Sequence, residues 1–173
     1  ELASHAAADR IVLLSQFARA SFIAHGEAAG RLEVVSLGAD LERFARADQM
    51  PGLPVRALVV GNWSFQKGCD LIAPLLQRIP ELRVDHIGSV VDAPLPDSDR
   101  FRSLGHMPQA ALAAAMRDYH LLVFPSRDDG FGMVMAEALA VGLRVVASDT
   151  SGGPDLAALV GPEYVSLFAS GMV

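Results

Sequence analysis

The sequence holds a single cysteine, Cys69, so no intrachain disulfide forms and no thiolate metal cluster exists. Its five histidines, His5, His25, His86, His106 and His120, are scattered without the spacing of metal ligands, and no metal site is expected. Positive charge is also short. Fourteen Lys and Arg against 20 Asp and Glu leave a net charge of −6 and a pI near 5.2. A nucleic-acid groove needs a basic face that displaces counterions from phosphates, so nucleic acid is not an expected partner. A small phosphorylated ligand stays open, because one or two placed cations and backbone N–H groups suffice for it. Aromatics are only 6% of residues, which leaves Leu, Val and Ala to fill the core. The most apolar stretch, residues 133–147, carries Glu137 and Arg144 and is too short to span a bilayer. No transmembrane segment and no secretory signal pattern is recognised, and the expected location is cytoplasmic, free or peripheral on the inner face of a membrane. Internal repeats and low-complexity tracts are missing too.

What remains is a composition that packs. Hydrophobic residues make up 51% and charged residues 20%, and 173 residues give room for one core, or one domain plus a piece of another. The chain starts at Glu1 rather than Met and stops at Val173 just after an apparent strand, so a piece of a longer protein is the expectation. Short apolar β-type runs, at residues 11–15, 33–37, 57–61, 82–88, 120–124 and 144–148, alternate with helical patterns at 16–25, 69–78, 108–118 and 132–141. Pro108 suits the first turn of its helix and Pro80 follows the end of another. The alternation predicts an α/β fold with a Rossmann-like, doubly wound parallel sheet. Two prolines and a glycine within residues 44–56 read as a linker, and residues 92–98 as a surface loop.

The stretch richest in chemistry is Asp129-Gly130-Phe131-Gly132-Met133-Val134-Met135-Ala136-Glu137. A strand ends at Phe124 and a helix begins near Gly132, which is where open α/β sheets bind ligands. Glycines there let the backbone pass close to a ligand, and the N–H groups of Gly132, Met133 and Val134 make an anion site helped by the helix dipole. Eight helical residues span roughly 12 Å, so Asp129 and Glu137 cannot grip the same atoms and instead flank an extended ligand. A nucleotide-sugar has that order of parts: sugar hydroxyls, diphosphate, ribose hydroxyls. Each carboxylate can accept two hydrogen bonds from a diol. Taken singly, such acids are more often a cap and a solvated helix residue. Glu137 is set among apolar neighbours, where an unpaired charge is costly. A second site is Lys67 in the loop 62–68 after a strand; alone it reads as a surface lysine, and the order of a Walker A loop is absent.

Pro125-Ser126, Asp129-Gly130-Phe131-Gly132, Glu137-Ala138-Leu139-Ala140, Gly142, Val145-Val146-Ala147 and Gly152-Gly153 together resemble the donor region of the family 4 glycosyltransferases, glycosyl transferases group 1. The resemblance implies one half of a GT-B architecture, in which two Rossmann-like domains face each other across a cleft. It implies that Asp129, where the family usually has glutamate, contacts the transferred sugar, with Phe131 and Gly132, and that Glu137 binds the ribose. Gly61 and, six residues on, Lys67-Gly68 match the family's phosphate-binding loop, which makes Lys67 the cation that stabilises the leaving diphosphate. Asn62 stands where most members have arginine and supplies hydrogen bonds without charge. Leu104-Gly105-His106-Met107 resembles the segment that reads the base, so Met107 and Gly88 are base-pocket candidates; a core methionine is the other reading of Met107. Gly130, Met133 and Val134 complete the expected donor contacts.

Residues 8–15, with 34–40 and Phe44, resemble the last strand–helix–strand and hinge of the family's first domain. The implied organisation is 1–45 as that tail and hinge, 46–56 as linker and 57–173 as a donor-binding domain cut short at its C-terminus. The implied partners are a nucleoside-diphosphate sugar and an acceptor (a sugar, a lipid-linked sugar or a small molecule) held by the missing N-terminal domain. The implied activity is retaining transfer without a cofactor, the fragment alone being inactive. Other readings are a nucleotide-sugar-binding module without chemistry and a sugar-nucleotide 2-epimerase of the same architecture. A dehydrogenase is set aside, since no strand runs into Gly-x-Gly-x-x-Gly.

Overall fold

The computed structural model describes residues 5, 7–47 and 52–170. The first segment is small. Strand β1 (Ile11–Leu13) pairs in parallel with β2 (Leu32–Val34), and helix α1 (Gln16–Ala24) connects them. Ser15 leaves the strand to cap α1, its hydroxyl accepting from the Ala18 N–H at 3.0 Å. That ends β1 two residues short of the sequence expectation. β2 stops at Val34 rather than residue 37, with one further ladder bond from the Val35 N–H to the Leu13 carbonyl.

Six parallel strands form the main sheet: β3 (Arg56–Val60), β4 (Arg83–Ile87), β5 (Phe101–Ser103), β6 (Leu121–Phe124), β7 (Arg144–Ser148) and β8 (Val165–Phe168). Their spatial order is β5-β4-β3-β6-β7-β8. Counted from β3 as the first strand, this is the dinucleotide-fold order, and it places a topological switch point between β3 and β6. The helices are α2 (Ile72–Arg78), α3 (Gln109–Met116), α4 (Met133–Val141) and α5 (Gly153–Val160).

The two-residue period of the strands sorts the core into two layers. Leu58, Ile87, Leu122, Phe124 and Val145 pack with Leu112 and Met116 of α3, Met135, Ala138 and Val141 of α4, and Leu156 of α5. Their strand neighbours Ala57, Val59, Val84 and Val123 pack with Ile72 and Leu76 of α2, Cys69, Trp63 and Phe101. Strands covered on both faces have no polar face to show, which is why β3, β6 and β7 read as mostly apolar runs; β4 differs in burying Asp85 and His86.

Several boundaries differ from the sequence reading. Residues 69–71 form a 3-10 turn before α2. Pro108 sits outside α3 in extended conformation, as its N-cap rather than in its first turn. Strand β5 and helix α5 were not expected. Part of the proposed linker, residues 48–51, lies outside the described residues. Before it, Phe44 is 1% exposed and belongs to the core beside Val141, and the Ala47 N–H reaches the Val141 carbonyl at 2.9 Å. The end of the first segment is thus packed into the second unit. The loop 92–98 is anchored by Trp63, whose Nε1–H donates to the Pro94 carbonyl at 3.0 Å.

Candidate functional site

The carboxyl ends of β3 and β6 open on a hollow of about 480 Å³ at the switch point. It is lined by Gly61, Lys67, Asp129, Gly130, Phe131, Gly132, Met133 and Val134, together with Leu14, Val60 and Phe124. Eight residues singled out in the sequence therefore meet in one place, drawn from two loops 62 residues apart at their ion pair.

Helix α4 begins at its rim. Gly132 is the N-cap at φ +80°, a backbone region that L side chains rarely adopt. A Cβ there would lie 2.7 Å from the Phe124 ring. No side chain caps the helix; the Met135 N–H turns back on the Gly132 carbonyl at 2.9 Å, which leaves Met133 and Val134, both lining the hollow, at the positive end of the helix dipole.

The loop before α4 is held from several sides. The Asp129 N–H donates to the Thr150 carbonyl at 3.1 Å, and its Oδ1 accepts from the Phe131 N–H at 3.0 Å. The Ser15 hydroxyl donates to the Gly130 carbonyl at 2.6 Å. Phe131 is 1% exposed and its carbonyl accepts from the Gly152 N–H at 3.0 Å. The free oxygen of Asp129 meets the sequence's single lysine: Lys67 Nζ to Asp129 Oδ2 is 2.5 Å. Both side chains are partly exposed, so the pair contributes only about 1 kcal/mol and an incoming anion can replace it.

The lysine loop is locked to the other loop. Gly68 adopts φ +66°, and a Cβ on it would stand 1.9 Å from the Pro125 carbonyl oxygen. Arg127 donates through Nη1 to the Phe65 carbonyl at 2.6 Å and through its backbone N–H to the Gln66 carbonyl at 2.8 Å. Its guanidinium also grips both oxygens of Asp70, at 2.6 and 2.9 Å, which holds that carboxyl below the usual carboxylate range. The Lys67 N–H donates to Ser64 Oγ at 3.2 Å. Cys69 beside it is 1% exposed, and burial pushes its thiol up to about 11, which makes it inert packing.

Four expected site residues lie off the hollow. Glu137 sits one turn further along α4 and is 7% exposed. Its Oε1 accepts from Gln109 Nε2 at a long 3.4 Å, and Gln109 Oε1 in turn accepts from Arg43 Nη1. Burial raises the Glu137 carboxyl, and the Arg43 guanidinium offsets this only in part. Asn62 is exposed, with its carbonyl near the Cys69 thiol at 3.7 Å. Gly88 abuts the Gly61 carbonyl and donates its N–H to Gly105 at 3.0 Å. Met107 is half-buried and packs against the core. Sequence reasoning missed Ser15, Thr150, Arg127 and the Gln109–Arg43 pair. Ser15 carried a signal, since it precedes a helical run as N-caps do. Arg127 and Asp70 are 57 residues apart and carried none.

A parallel sheet in this order, with its hollow at the switch point, is a Rossmann-like domain of the GT-B kind. A family model described as "Glycosyl transferases group 1" matches residues 54–172, and the chain belongs to that family. It is 32% identical to a D-inositol 3-phosphate glycosyltransferase of Streptomyces avermitilis over 86% of this chain and 39% of the relative. It is 30% identical to a sulfoquinovosyl transferase of Arabidopsis thaliana over 88% of this chain and 33% of the relative. The chain thus spans well under half the length of these relatives. Among solved structures, sucrose-phosphate synthase from Thermosynechococcus elongatus superposes with a TM-score of 0.78, at 23% identity, over 95% of this chain and 46% of that one. Anabaena HepE in complex with UDP and glucose gives 0.69 at 21% identity, over 94% of this chain and 50% of the other. These two likenesses concern the fold. No helix among the described residues is long and apolar enough to cross a membrane.

Proposed function

We propose that the protein transfers a sugar, with retention, from a nucleoside-diphosphate sugar to an acceptor held by the part of the molecule outside this chain. The observation that carries this reading is the Lys67–Asp129 pair sharing one hollow with the uncapped start of α4. A diphosphate entering the hollow takes the place of Asp129 as the partner of Lys67, gaining one ammonium and the first N–H groups of α4. That exchange releases Asp129 Oδ2 to accept from a sugar hydroxyl while its Oδ1 stays on the Phe131 N–H. Lys67 then faces the diphosphate oxygens as the sugar–phosphate bond breaks and negative charge grows on them. Glu137, one turn deeper, receives the ribose hydroxyls, Gly61 and Asn62 border the diphosphate, and Gly88 and Met107 border the base. No side-chain nucleophile is assigned, and the donor phosphate serves as the base for attack on the same face of the sugar. The similarity to a D-inositol 3-phosphate glycosyltransferase and a sulfoquinovosyl transferase supports the reaction class.

Calorimetric titration with UDP, GDP and ADP tests the reading. One of the three is expected to bind with a Kd of about 1 mM or tighter, and the matching sugar nucleotide is expected to yield product of unchanged anomeric configuration with the intact protein. No binding of any of the three, together with no consumption of a sugar nucleotide, overturns it.

A further inference from the structure

Four arginines gather at the opposite end of the sheet, beside the amino ends of β3, β4 and β5. Arg56, Arg83, Arg100 and Arg102 line a hollow of about 140 Å³ with Asp85 and Asp99. Since Arg56 opens β3 and Gly61, five positions on, follows its end, this hollow and the donor hollow stand roughly 16 Å apart.

The buried member is Asp85, 4% exposed. Arg102 clasps both its oxygens, Nε to Oδ1 at 2.8 Å and Nη2 to Oδ2 at 2.6 Å. The Tyr119 hydroxyl donates to Oδ2 at 2.8 Å and Arg56 Nη2 at 3.2 Å. One guanidinium neutralises a carboxylate; Asp85 has two and a hydroxyl besides. Arg100 is spent differently. Its nitrogens donate to the carbonyls of Leu76, Ile79 and Leu82, at 2.7, 2.9 and 3.3 Å, so it complements the end of α2 and takes up no carboxylate. Arg83 has no hydrogen bond or ion pair through its side chain among the described residues.

Four cations against two carboxylates leave the hollow two positive charges in surplus, in a chain whose net charge is −6. Satisfying Asp85 does not require that surplus, and guanidinium groups crowded together repel one another. A dianion relieves the repulsion. Arg83 offers a whole planar fork, and Arg102 and Arg56 keep N–H donors that Asp85 does not take; together they match an oxyanion with two or more acceptor oxygens, and the hollow is less than a third the size of the donor site. We propose that it is a second anion site, separate from the donor hollow, that takes a phosphate monoester group. The group belongs either to a soluble phosphorylated metabolite or to a lipid headgroup, since both present the same dianion.

The test is titration of inorganic phosphate into the protein at fixed ionic strength, followed by calorimetry and amide chemical shifts. It is repeated on Arg83→Glu, and on Lys67→Ala so that phosphate in the donor hollow is not counted. Saturable binding with a Kd of about 5 mM or tighter is expected, kept in Lys67→Ala and weakened about tenfold or more in Arg83→Glu. The Arg83 side chain makes no hydrogen bond or ion pair among the described residues, so that variant is expected to keep its circular dichroism and its nucleotide affinity. Absence of saturable binding, equal binding by Arg83→Glu, or loss of binding in Lys67→Ala alone each overturns the proposal. Co-sedimentation with phosphatidate vesicles that Arg83→Glu abolishes assigns the group to a headgroup. Phosphate binding without sedimentation assigns it to a soluble ester.

Discussion

Glu137 and Lys67 carry opposite charges and live in opposite circumstances. Burial raises the Glu137 carboxyl above the ordinary 4.5, so the native state binds this proton more tightly than the unfolded chain does. The contribution to stability is then fully present below about pH 4.5 and is lost as pH rises through the raised value, leaving a cost at neutral pH. Glu137→Gln is therefore expected to raise the melting temperature at pH 7, with the gain vanishing toward pH 4, while nucleotide affinity falls. A purely structural acid behaves the other way, and a lowered melting temperature at pH 7 with unchanged affinity would remove the ribose role. Lys67 spends only a partly exposed ion pair, so Lys67→Ala is expected to leave stability within about 1 kcal/mol of the native protein. Its cost falls on turnover, about tenfold or more in kcat with the sugar donor. Unchanged kcat in steady-state assays would strip it of its part in stabilising the leaving group.

The two loops that build the hollow, residues 62–68 and 125–131, are set by contacts that no local pattern announces. Arg127 joins them by holding Phe65, Gln66 and Asp70 at once. With Arg127→Ala the second loop loses its side-chain tie to Phe65 and Asp70, while Lys67 and Asp129 both remain. Turnover is expected to drop about threefold to tenfold, from misplacement of the ammonium, with KM less affected; Arg127→Lys restores little, because an ammonium cannot make the paired grip on Asp70. Equal kcat in Arg127→Ala would show that Gly68 against Pro125 sets the loop unaided. What the sequence revealed follows the same division. Strands β3, β6 and β7 were readable because both faces are buried and their residues are mostly apolar, and β4 because Val84 and Ile87 still mark it although Asp85 and His86 are buried inside it. Strand β5 is Phe-Arg-Ser, three residues of which only Phe101 is buried, too short and too polar to stand out. The acids, glycines and lysine that line the hollow were legible as spaced motifs. The ion pair between Lys67 and Asp129, the Arg127–Asp70 clasp and the displacement of Glu137 from the hollow were not, because they depend on which strands lie side by side.

At the scale of the whole molecule, the first segment and the second unit meet directly on the site. Ser15 holds the Gly130 carbonyl, Leu14 lines the hollow, and the Gln16 N–H donates to both oxygens of Asp155 at 3.1 Å. Asp155 lies in the first turn of α5, so one carboxylate complements the positive ends of α1 and α5 together. A ligand that parts these segments must break the Asp155 contact, whereas one that fits the present hollow leaves it alone. Asp155→Ala is expected to speed hydrogen exchange at Gln16 and its neighbours in the first turn of α1 about tenfold, for the loss of a capping carboxylate, with the amides of β3 and β6 still protected. If exchange in α1 is unchanged, the contact does not hold the segments together, and Ser15 alone ties the first segment to the loop that carries Asp129.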